Sequence, residues 1–141
     1  MKKQNNFALL LAVMLTIVLL FGNAFALSSS YSFSMNNREV NGAKNGEFHS
    51  VNAGTVRISG RHAILEQEHV MDGETIFYEL RKGSQLTYTS FGMVSAYAYG
   101  GGQYSNFSGS YNTTQSGDDY YLVISKNTIE IAAAGYGTLV S

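Results

Sequence analysis

An all-β fold, one antiparallel β-sandwich or jelly roll of about eight strands over residues 27–141, is what the sequence predicts. Three observations carry that expectation. Apolar residues after position 26 alternate with polar ones at period two, and no window shows a helical 3.6-residue period. Gly, Asn, Ser and Asp clusters interrupt the alternation at hairpin spacing. All ten tyrosines lie in this region, whose aromatic and Val/Ile/Thr content suits a pleated, half-buried surface.

Residues 1–26 are of a different kind. Lys2 and Lys3 precede an apolar run from Phe7 to Phe21 broken only by Thr16. That is about 15 residues, short of the roughly 20 a membrane-spanning helix needs. Gly22 and Asn23 break the run, and Ala24-Phe25-Ala26 supplies the small residues a signal peptidase reads. The expectation is a cleaved signal peptide of a bacterial type, a secreted, extracellular product, and no stable membrane insertion after cleavage.

The elements follow in order. Tyr31, Phe33 and Met35 share one parity, a first strand; Asn36 to Gly46 is polar, a loop. Glu47–Val51 is a short strand, Asn52-Ala53-Gly54 a turn, and Thr55–Gly60 a strand with Val56 and Ile58 inward. Ala63–Arg81 predicts a hairpin about Asp72-Gly73, because a type I′ turn needs positive φ. In that register Leu65, Met71, Ile76, Tyr78 and Leu80 share an apolar face with His69. Glu66, Glu68, Glu79 and Arg81 share the other, with Glu66 directly opposite Glu79. Lys82-Gly83-Ser84 turns into a long strand, Leu86–Tyr99, with Gly92 a bulge or bend. Gly100-Gly101-Gly102 turns into Gln103–Thr113, and Gln115–Asp118 into the apolar Tyr120–Ile124. Lys126-Asn127 then leads to a last strand, Thr128–Val140, interrupted by Gly135 and Gly137.

Ile76–Arg81 followed by a turn, Ser116–Ile124 with its Gly-turn and Tyr-Tyr-Leu strand, and Val51–Val56 together resemble the bacterial pre-peptidase C-terminal domain, a small secreted β-sandwich. The resemblance implies a non-catalytic binding or accessory role, with calcium used by some relatives. It carries over no particular ligand residue.

Composition narrows the partners. Beyond residue 26 seven cations face ten acids, a formal charge of −3 without a basic run, which disfavours nucleic acid and anionic membrane. Cysteine is absent, so stability must come from packing and the hydrogen-bonded ladder or from a bound ion. Glu66, Glu68 and Glu79 could share a Ca²⁺, since opposed carboxylates repel and calcium takes hard oxygen ligands; the alternative is neutralisation by Arg81. His49, His62 and His69 fit no zinc spacing. No Gly-x-Ser-x-Gly elbow occurs, and no enzyme is expected. Tyr97, Tyr99, Tyr104 and Tyr111 are the candidate ligand-binding residues. Exposed tyrosines on a flat sheet give contact area for sugar rings or protein at low entropic cost, although core packing would account for them too. A two-residue turn at Gly101-Gly102 would set Tyr99 opposite Tyr104. The expected function is a secreted module binding a cell-surface or extracellular carbohydrate or protein. The alternatives are a self-assembling matrix protein, through the Tyr/Gly/Asn-rich segment 95–117, and a small effector of microbial competition.

Overall fold

The computed structural model describes residues 26–65, 73–129 and 131–141, and within them the chain is a two-sheet antiparallel β-sandwich. The strands are β1 (Ser28–Met35), β2 (Glu39–Asn41), β3 (His49–Val51), β4 (Gly54–Ile64), β5 (Glu74–Gly83), β6 (Tyr88–Ala98), β7 (Ser105–Thr113), β8 (Gly117–Lys126) and β9 (Ala133–Val140). Sheet I has the order β1-β9-β4-β7, and sheet II the order β2-β8-β5-β6 with β3 also paired to β8. The predicted signal peptide lies outside the described residues but for Ala26. No helix among the described residues is long and apolar enough to cross a membrane.

Alternation explains the core directly. Tyr31, Phe33 and Met35 of β1, Val56, Ile58 and Ile64 of β4, and Phe107 and Tyr111 of β7 point inward from sheet I. They meet Ile76, Tyr78 and Leu80 of β5 and Tyr120, Leu122 and Ile124 of β8 from sheet II. Two glycines of β9 are there for closeness. A Cβ on Gly135 would fall 2.5 Å from the Phe33 ring, and one on Gly137 2.6 Å from the Tyr31 hydroxyl. The β1 aromatics thus lie over glycine backbone, which keeps that strand pair apolar without side chains of its own.

Hydrogen bonds also cross between the sheets. His62 faces inward from β4, and its Nε2 donates to the Tyr97 carbonyl at 3.1 Å. Its Nδ1 is therefore the acceptor for the Tyr78 hydroxyl at 2.8 Å. The Tyr111 hydroxyl donates to the Tyr78 carbonyl at 2.9 Å. His62 stacks on Phe107 at 4.7 Å, and burial lowers its pKa, so the ring is held neutral.

The Ala63–Arg81 hairpin is not formed. β4 pairs with β7 and β9 in sheet I, while β5 pairs with β6 and β8 in sheet II. The chain changes sheet between Ile64 and Glu74, with residues 66–72 outside the described set. Gly73 does carry positive φ, at 111°, but the strands beside it face each other across the core. Glu79 is opposed by Met93 and Val123, not by Glu66. The glycine turn is a second crossing: β6 belongs to sheet II and β7 to sheet I. Gly101 and Gly102 have φ near 72° and 74°, yet Tyr99 and Tyr104 are not strand partners. The predicted loop 36–46 holds β2 and a single helical turn, α1 (Gly42–Asn45), capped by the Asn41 side chain and by left-handed Gly46. The β5–β6 hairpin and its irregularity at Gly92 (φ 102°) follow the sequence expectation.

Candidate functional site

The outer face of sheet II collects long polar and aromatic side chains. Register sets Tyr88 beside Gly83, Ser90 beside Arg81, Met93 beside Glu79, Ser95 beside Phe77 and Tyr97 beside Thr75. Because paired residues point to one side of a sheet, these form a continuous strip along β5 and β6. The two-against-one step in register between Glu79 and Arg81 falls at Phe91-Gly92. It turns Phe91 inward onto Tyr120, 5.4 Å between ring centres, and leaves Ser90 and Met93 outward.

The charges on this strip are fixed in pairs. Arg81 Nη2 donates to Glu79 Oε2 at 2.6 Å, and its guanidinium lies 4.0 Å from the centre of the Tyr88 ring. Burial pushes the Glu79 carboxyl up, but hydrogen bonds from Arg81 and Ser90 and the arginine charge outweigh it, leaving its pKa lowered. Arg81 Nε is buried with no partner among the described residues. One residue on, and turned to the other side of β5 toward Tyr120, Lys82 bonds Asp119 at 2.8 Å, and that hydrogen bond is the main reason its pKa is raised. Beside this pair an open cleft of about 260 Å³ is lined by Lys82, Gly83, Thr87, Tyr88, Gln115 and Asp119. Tyr121 lies under Phe48, rings 6.0 Å apart edge to face, and donates its hydroxyl to Ser84 O at 3.1 Å. The result is an exposed aromatic ring with charged donors and acceptors held in place around it.

The four tyrosines singled out by sequence separate. Tyr97 and Tyr99, both about half exposed, meet edge to face at 5.4 Å. Tyr104 is exposed on the other side of the molecule, 5.9 Å from Tyr136. Tyr111 is in the core at 3% exposure, its hydroxyl satisfied by Tyr78 O, so it reaches no surface ligand. Sequence reasoning missed Tyr88, Arg81 as its cation partner, and Tyr136. The signal for Tyr88 was its position just after the β5–β6 turn, opposite Gly83.

Of the three residues expected to share a calcium ion, the described structure contains one. Glu66 and Glu68 lie outside the described residues, and Glu79 is engaged by Arg81. Among the described residues no group of three or more His, Asp or Glu side chains could hold a metal ion. His49 lines another cleft, of about 350 Å³, with Ser30, Ser32, Glu47 and Phe48. Its Nδ1 is 2.7 Å from Ser29 Oγ, and burial lowers its pKa.

The sequence matches no protein-family model and no curated protein. The fold is similar to the CBM22-1 xylan-binding domain from Paenibacillus barcinonensis Xyn10C, with a TM-score of 0.50 and 9% identity over 84% of this chain and 83% of that one. It is also similar to the carbohydrate-binding module CBM6cm-2 of Cellvibrio mixtus lichenase 5A, solved with cellotriose, at a TM-score of 0.49 and 11% identity over 80% and 94% of the two chains. A mitogen from Yersinia pseudotuberculosis resembles it at a TM-score of 0.40 and 12% identity over 79% and 83%. At 9% identity the likeness to the xylan-binding domain is one of fold, and it agrees with the two-sheet sandwich described above.

Proposed function

We propose that the protein is an exported, non-catalytic module that binds a neutral polysaccharide outside the cell through the outer face of sheet II. The observation that carries this reading is Tyr88, half exposed, backed by Arg81 and bordering the Lys82–Asp119 cleft. An aromatic face stacks on the apolar face of a sugar ring, and fixed charged groups bond its hydroxyls. Tyr97 stands nine positions further along β6, roughly 25–30 Å at ~3.3 Å per residue. That spacing would let the strip underlie several consecutive rings of an extended chain. The xylan-binding domain of similar fold supports the same reading, as does the signal-like segment at residues 1–26. Retention of the purified protein on insoluble xylan and cellulose tests it. Tyr88→Ala and Tyr97→Ala are expected to lower retention roughly tenfold each, at the ~1–2 kcal/mol an aromatic contact supplies. No retention of the wild type, or equal retention of all three proteins, would remove the proposal.

A further inference from the structure

The opposite side of the sandwich has a different chemistry. None of the four strands of sheet I contains an Asp or a Glu, in a chain with ten acids. Its outward residues form cross-strand rows that the register defines. Ser30, Thr138, Ser59 and Ser108 make one row, and Ser32, Tyr136, Arg61 and Asn106 the next. Neighbours in a row are about 4.8 Å apart. Arg57 and Arg61 are both exposed, four residues apart on β4, roughly 13 Å at ~3.3 Å per residue. Neither joins an ion pair among the described residues; Arg61 Nη2 donates only to the Tyr104 carbonyl, at 3.2 Å. Beside Arg61 stand Tyr136 and Tyr104, both exposed, their rings tilted 42° at 5.9 Å. The face is therefore cationic, hydroxylated and partly aromatic on a protein that is acidic beyond its first 26 residues.

We infer that the outer face of sheet I binds an anionic polysaccharide, a hydroxyl-rich chain carrying carboxylate or phosphate groups at intervals. Arginine presents a planar fork of donors matched to carboxylate and phosphate, and two such forks on one strand read two anions of one polymer. The serine and threonine rows both donate and accept, which suits sugar hydroxyls, while Tyr136 with Tyr104 offers a ring to stack upon. Two cations release too few counterions to hold a nucleic acid at physiological salt. This site lies on the far side of the sandwich from the Tyr88 strip and does not rest on that strip's role.

Three polymers distinguish the sources of the chemistry: polygalacturonate, the same polymer fully methyl-esterified, and a glycerol-phosphate teichoic acid. In affinity electrophoresis the purified protein is expected to be retarded more strongly by polygalacturonate, by teichoic acid or by both than by the ester, a neutral chain that only the Tyr88 strip would take. Retardation by one of the two anionic polymers identifies the anion. Arg57→Ala with Arg61→Ala is expected to weaken binding at least about tenfold, and salt raised from 0.05 to 0.5 M to weaken it further. Tyr136→Ala is expected to reduce binding too, whereas Leu86→Ser, at a fully exposed position between β5 and β6, leaves it unchanged. Both arginines are exposed, so the double variant keeps the wild-type melting temperature; Arg57→Lys with Arg61→Lys restores part of the binding and separates charge from folding. Retardation by neither anionic polymer, equal retardation by the ester, indifference to the arginine changes, or preferential binding of double-stranded DNA would each overturn the inference.

Discussion

The two outer faces start from the same period-two alternation and end with opposite electrostatics. Sheet II carries long side chains whose charges are matched locally, Arg81 to Glu79 on its outer face and Lys82 to Asp119 in the cleft that borders it. Sheet I exposes short hydroxyl residues and two arginines without acidic neighbours on its strands. Matched charges hold each other in geometry and leave an aromatic ring as the main contact surface. Unmatched charges contribute little to stability and stay available to a ligand. The difference places a preorganised, nearly neutral surface on one side and a charge-reading surface on the other.

That contrast depends on the core keeping the sheets back to back, and the strongest way to break it is at Gly109. It faces inward from β7, where a Cβ would come within 2.5 and 2.6 Å of the two methyls of Val94 on β6. Gly109→Ala is expected to cost about 1–3 kcal/mol by overpacking, which lowers the melting temperature by roughly 4–8 °C per kcal/mol in a domain near 100 residues. Val94→Ala removes the methyls in question, so the double variant should be more stable than the two single losses predict. Additive losses would show that the sheets do not meet at this point.

Core parity was legible in the sequence, whereas pairing beyond the β5–β6 hairpin was not. Ile76, Tyr78 and Leu80 face inward as the alternation requires, and so do Tyr31, Phe33 and Met35. The Asp72-Gly73 turn nevertheless suggested a hairpin, because two strands in one sheet and two strands facing across a sandwich both turn apolar faces inward. Alternation passes the same test in either arrangement. The same ambiguity attached Tyr104 to Tyr99, when its ring neighbour is Tyr136 from β9. Sheet I pairs β1 with β9, strands that stand at opposite ends of the described chain. No local signal announces such a partner. Surface chemistry suffers most, since the Arg61–Tyr136 row and the Tyr88–Arg81 contact exist only once registers are known.

A smaller effect sharpens the contrast between matched and unmatched charges. Glu79→Gln leaves the part-buried Arg81 without its anion and is expected to cost about 1–2 kcal/mol. Arg57→Gln on the other face should change stability by no more than about 0.5 kcal/mol in either direction. Urea midpoints measured side by side would decide it, and equal losses would erase the distinction between the two faces.

The smallest effect concerns His62, the inward bridge from sheet I to Tyr78 and Tyr97 of sheet II. Burial lowers its pKa below the ordinary 6.5, so the unfolded chain binds this proton more readily than the folded one. Its contribution is therefore intact above about pH 6.5, declines as pH falls below that value, and levels off once the depressed folded pKa is passed. The slope cannot exceed ~1.4 kcal/mol per pH unit for one histidine. His49, also lowered by burial, adds to the same window. Glu79, whose pKa is lowered, loses its contribution separately, as pH falls below its ordinary 4.5 and through the folded value. Denaturant midpoints at pH 7.5 and 5.5 should thus fall for the wild type, and by less for His62→Gln, whose amide can donate to Tyr97 O and accept from Tyr78 while remaining uncharged. An identical fall in both proteins would mean that His62 takes up its proton as easily inside the fold as outside it. The bridge between the faces would then not be the neutral, buried one that its two hydrogen bonds describe.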